Sequence, residues 1–148
     1  MKTKRTRGMR QRRRGAALVE MAVCLPVLVM VILAIIEFGR GMMVAELLND
    51  GARVGARQAI LAGSTNAAVT QTVTTFMQAT SVNSQAVTVN ITVTPAAGNP
   101  NPGNQIANAH TGDVCAIQVL VPFNQVSYIP GTYLAGETLK GACTMLHE

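Results

Sequence analysis

Residues 12–40 read RRRGAALVEMAVCLPVLVMVILAIIEFGR. A basic cluster gives way to Gly15 and then to an apolar run, residues 16–36, that holds one charge, Glu20. A helix of that length rises about 30 Å, roughly the thickness of a hydrocarbon core. The run is therefore long enough to cross a membrane, and Glu20 is the residue that disturbs it. An unpaired carboxylate at such a position costs on the order of 2 to 3 kcal/mol, which marks it as a functional candidate. Pro26 removes one amide donor inside the run and is expected to kink it. Transmembrane helices tolerate this better than soluble ones.

The charge distribution agrees with a membrane anchor. Residues 1–14 carry eight Lys and Arg and no acid, whereas the remainder carries four basic and seven acidic side chains, a net of −3 within an overall +5. Next to an apolar helix, a basic arm reads as the positive-inside flank that keeps the N-terminus cytoplasmic. A nucleic-acid partner is not expected, because the rest of the chain has no basic face and few aromatics. A cleaved secretory signal fits poorly, since the apolar run exceeds the usual h-region and Glu37-Phe38-Gly39-Arg40 is a poor cleavage site. An uncleaved signal anchor, on an envelope protein whose exported head binds a ligand or metal, stays open and explains everything except Glu20.

The succession of basic residues, Gly15, Ala16, Glu20 and apolar helix resembles a type IV prepilin. Followed by NDGARVGARQAI, residues 49–60, it looks like the TadE-like minor pilins or pseudopilins of Tad (Flp) type IVb pilus systems. The resemblance covers residues 12–62. It departs from the major type IV pilins at Ala16, where those usually have phenylalanine. The resemblance implies a single-pass protein of the bacterial inner membrane, cut between Gly15 and Ala16 by a prepilin peptidase. Its head would lie on the periplasmic or extracellular side. It further implies that Glu20 serves assembly, and that the partners are the membrane, the peptidase, other pilin subunits and pilus assembly proteins, with cell adhesion as the usual output.

Beyond the span, Glu37 and Arg40 lie three residues apart on one helix face, as an ion pair would require. The helix is expected to run on to about residue 62, and Gly63-Ser64 is a plausible end. Gly51 and Gly55, with Ala52 and Ala56, have the small-xxx-small spacing that lets helices pack closely. This gives four segments: a basic leader 1–15, a transmembrane helix 16–38, its extramembrane continuation 39–62 and an exported head 63–148.

The head is poor in charge, with only Asp113, Glu137, Lys140 and Glu148. Residues 66–79 place Val69, Val73, Phe76 and Met77 on one stripe, predicting a second helix. Residues 86–94 alternate strictly, as do 113–123 with Cys115, Ile117, Val119, Val121 and Phe123 on one face, and 138–147 with Leu139, Cys143 and Met145 on one face. Three one-sided strands need helices to cover them, so the predicted fold is α+β, a long N-terminal helix leading into a small antiparallel sheet. Residues 95–104, PAAGNPNPGN, read as a loop.

No phosphate loop, nucleophile elbow or carboxylate pair is present, so no enzyme, catalytic residue or cofactor is expected. His110 with Cys115 and Cys143 with His147 would make a two-His, two-Cys zinc set, but no metal is assigned, because the first two would not share a strand face. A Cys115–Cys143 disulfide is the stronger candidate, since both cysteines fall on apolar strand faces of an exported domain. Two buried free thiols remain the alternative.

Overall fold

The computed structural model describes residues 6–148, apart from Ser81, Asn83, residues 129–133 and Ala135; of residues 6–14 it describes the backbone alone. Most of the expected leader's side chains therefore lie outside the described residues. Two helices, α1 (Thr6–Ala59) and α2 (Asn66–Ala79), precede and flank three strands, β1 (Thr88–Thr94), β2 (Val114–Pro122) and β3 (Thr138–Leu146). Contacts divide the chain into Met1–Ile36 and Glu37–Glu148. The first unit is the N-terminal part of α1, which continues through Pro26.

The second unit is an α+β domain. Its sheet has the order β1-β2-β3, with both pairs antiparallel. On the central strand, Cys115, Ile117, Val119 and Val121 are buried while their neighbours are only half-buried, so one face is the core side. Val44, Leu48, Ala52, Ala56 and Ala59 of α1 and Val69, Val73 and Met77 of α2 share that core without accessible surface. Full burial of one Leu or Phe side chain contributes about 1.5–3 kcal/mol, and Leu48 and Phe123 are among the largest fully buried side chains. On β1 the opposite face is polar, with Thr88, Asn90, Thr92 and Thr94 all exposed.

Residues 37–59 of α1 supply one wall of the head core, because their apolar positions recur at helical spacing and meet the sheet. The helix stops at Ala59, and the chain turns through Gly63, whose φ of +76° suits glycine. Thr65 then caps α2, its hydroxyl accepting from the Ala68 amide at 3.2 Å; such caps contribute about 1 kcal/mol. The threonines of α2 are accommodated because Thr70, Thr72 and Thr74 donate their hydroxyls back to the carbonyls four residues earlier, at 2.7–2.9 Å.

The outer strands are each closed at one point by an asparagine. Asn104 accepts from the Val93 amide at 3.1 Å on β1, and Asn49 of α1 accepts from the Ala142 amide at 3.2 Å on β3. Both bonds occupy outward-facing edge amides, which otherwise invite pairing with another chain.

Candidate functional site

The segment that carries the sequence signature is the exposed part of α1. Residues 15–32 are exposed without exception. Gly15 has open space where a side chain would stand. Glu20 lies on this helix one turn beyond Ala16, and it too is exposed. Leu18, Val19, Met21, Val23 and Leu25 surround Glu20 with large apolar side chains between half and about two-thirds exposed. In water such a surface would be strongly unfavourable; each buried CH₂ is worth about 0.8 kcal/mol. The stretch is long and apolar enough to cross a membrane, and it is the one helix among the described residues that is. A helix apolar all round and exposed over residues 15–32 suits a lipid environment and supplies its own backbone hydrogen bonds there.

At the start of the second unit, Glu37 is buried and accepts a hydrogen bond from the Ser127 hydroxyl at 2.6 Å. Arg40 donates from Nε to the Val126 carbonyl at 3.1 Å, and its guanidinium lies 4.9 Å from the centre of the Tyr128 ring. The spacing of Glu37 and Arg40 suggested an ion pair between them. Both instead engage the segment that follows β2, tying residues 126–128 to α1. Ser127 could not have been found from the sequence, because a lone serine between Val126 and Tyr128 carries no pattern.

Gly51 and Gly55 face α2 of the same chain. A Cβ on Gly51 would overlap the Met77 methyl, and one on Gly55 would lie 2.6 Å from Val73 and 3.2 Å from Ile117. Gly141 of β3 meets main chain instead of a side chain: a Cβ there would overlap the backbone of α1 at Leu48 and Asn49. Its signal was present, because Gly141 occupies the inward position between Leu139 and Cys143 where the alternation calls for a side chain.

Cys115 and Cys143 stand as free thiols in the structure. The register sets Cys115 opposite Met145 and Cys143 opposite Ile117. The two cysteines are thus diagonal neighbours, about 7–8 Å apart in a regular sheet, beyond the usual reach of a bridge. Burial, and secondarily the charge of Asp113, pushes the Cys115 thiol up. The zinc set does not assemble either. Among the described residues no three His, Cys, Asp or Glu side chains stand close enough to hold a metal.

Asp113 is the other residue the sequence did not disclose. It has no accessible surface. Its carboxylate accepts from the Asn99 side chain at 2.7 Å and from the amides of Ala96 and His110, both at 2.8 Å. These bonds, Asn99 foremost, hold its pKa near 2. Its carbonyl also accepts from the His147 amide at 2.8 Å. The carboxylate thereby fastens the loop after β1 to the entry of β2, and the main-chain carbonyl of the same residue holds the exit of β3. This is a structural joint.

Residues 15–57 match the model of a family described as TadE-like protein. The match begins at Gly15, contains Glu20 and the whole apolar run, and ends two residues before α1 does. It shows the resemblance read from the sequence over those residues, and suggests a component associated with a Tad pilus. Neither the comparison with curated proteins nor that with solved structures gives a match.

Proposed function

We propose that this chain is a minor pilin or pseudopilin of a Tad (Flp) pilus system, a structural or assembly component and not an enzyme. In this reading it enters the bacterial inner membrane with its basic arm cytoplasmic and residues 37–148 on the far side. A prepilin peptidase hydrolyses the Gly15–Ala16 bond, releasing the arm with a new carboxylate and leaving a new amine on Ala16. The mature subunit then associates through its apolar helix with other pilus subunits and assembly proteins. Adhesion would be a property of the assembled system.

The observation that carries the reading is the exposed apolar helix with a single carboxylate five residues after Gly15, all inside the TadE-like match. Glycine suits the residue before the cut, having no side chain to clash in a tight protease subsite. Positive charge on the cytoplasmic side keeps the cut where a cytoplasmic-face peptidase reaches it.

The test is expression of the wild type and Gly15→Leu beside a prepilin peptidase. The wild type is expected to be shortened in the membrane fraction, and Gly15→Leu to stay at full length. If both remain at full length, the signal-anchor reading replaces this one.

A further inference from the structure

We propose that the open edge of β1 docks β1 of a second copy of this chain, the two strands pairing antiparallel about a twofold axis at Asn90. The pairing involves Glu37–Glu148 alone and does not depend on the pilus reading. In an antiparallel ladder, alternate residues of a strand turn both amide and carbonyl toward the same neighbour. The Val93 amide donates to the Asn104 side chain, and the Ala142 amide to that of Asn49. Through the registers Thr92↔Ala116 and Ile117↔Cys143 these two bonds agree with each other. On β1 the even-numbered residues bond β2, while Val89, Ile91 and Val93 turn their backbone groups away from the sheet. Asn104 occupies the outward amide of Val93. No described residue accepts from the outward amides of Val89 and Ile91.

The same two positions are where the core is incompletely covered. Along the inner face of β1, Val93 is buried, but Val89 and Ile91 are only half-buried. A groove of about 560 Å³ borders the edge there, with Asn66, Thr70, Asn104 and residues 89–92 in its lining. β1 itself, TVNITVT, has none of the charges or prolines that guard edge strands. The other edge is guarded, since β3 carries Lys140 and Asn49 bonds its central amide at Ala142. A second copy fits this pattern because the pattern is its own complement. With Asn90 opposite Asn90 of the second copy, Val89 of each chain falls opposite Ile91 of the other, and each such pair exchanges both backbone bonds. All four open amides are then used, and the half-buried Val89 and Ile91 side chains of both copies meet on the inner face. The groove is lined by uncharged residues alone, so the copies bring no like charges together.

Single cysteines test this register. Thr88→Cys, Asn90→Cys and Thr92→Cys would each be made in the full chain carrying Cys24→Ala, which removes the exposed native thiol. That background alone is the blank for Cys115 and Cys143. All three sites are exposed on the polar face of β1. In the paired strands, position 90 faces itself at about 4.5 Å between Cα atoms, within disulfide reach, whereas position 92 faces 88. The two copies of position 92 stand about 13 Å apart along the strands. Oxidation with copper-phenanthroline in detergent micelles should give on the order of fivefold more dimer above the blank for Asn90→Cys than for Thr92→Cys. Mixing Thr88→Cys with Thr92→Cys should restore the dimer. Equal dimer at 90 and 92 would show association without this register and overturn the pairing. Dimer at no position above the blank would leave the edge to another partner or to solvent and equally overturn it.

Discussion

Gly141 of β3 lies so close to Leu48 of α1 that any side chain at 141 would occupy the space of the Leu48 carbonyl group. Strand and helix meet here backbone to backbone, and Asn49 adds a hydrogen bond to the neighbouring Ala142 amide. The head is thereby pinned to the helix that precedes it.

Gly141→Ala is predicted to destabilise the head by about 3 kcal/mol or more, because neither backbone can yield without displacing a packed element. Gly51→Ala is the contrast. Its added methyl meets only the flexible end of Met77, and alanine regains about 1 kcal/mol of helix propensity. Thermal unfolding in detergent should show a fall on the order of 10 °C for the first and a few degrees at most for the second. Equal effects would contradict the close approach.

Asp113 sets an acid limit. Its folded pKa, about 2, lies below the ordinary value of 3.8. A group depressed in this way contributes stability that is fully present above the unfolded pKa and lost as the pH falls through the folded one. The urea midpoint should therefore drop between about pH 4 and pH 2. In Asp113→Asn the midpoint should be lower at neutral pH, since one amide now faces the His110 amide, and this part of the acid slope should vanish. An unchanged slope in the variant would remove Asp113 as its source.

The cysteines give a direct count. Alkylation of the unfolded, unreduced protein is expected to add three groups, one per cysteine. In the folded protein Cys115 should react slowest, because burial raises its pKa and the thiolate is the reacting form. A single adduct before reduction would show that Cys115 and Cys143 are bridged after all.

What could be read from the sequence was what periodicity encodes. The stripe of α2 ended at the same residues in sequence and structure, and the alternation of β2 placed its core face correctly, because 3.6 and 2 residue periods translate directly into buried faces. The relation between strands could not be read that way. Cys115 and Cys143 share the inner face, but whether they are opposite or diagonal depends on the register, which the loop joining β2 to β3 and the packing decide. Gly141, Asp113 and Ser127 act through partners distant in sequence, so their local surroundings gave little warning. In the candidate segment, Gly15 and Glu20 stand out in the sequence because an apolar helix tolerates so few exceptions.

Glu20→Gln should spare cleavage and impair assembly. The carboxylate lies in an apolar, exposed helix, where desolvation costs about 2 to 3 kcal/mol unless a cation is near. Removal of the arm creates such a cation on Ala16 of every processed subunit, and a neighbour's amine can offset the charge. Pull-down of tagged subunits with untagged ones should fall for Glu20→Gln at unchanged processing. Undiminished association would leave Glu20 without a pairing role.

The central claim is that the chain is processed as a prepilin. The most direct measurement is N-terminal sequencing of the protein extracted from membranes of cells carrying the matching peptidase. The account predicts a start at Ala16, read as Ala-Ala-Leu-Val-Glu, and a mature chain without the eight N-terminal basic residues. A start at Met1 would contradict it in favour of an uncleaved anchor, and a start beyond Ile36 would contradict it in favour of an ordinary signal peptide.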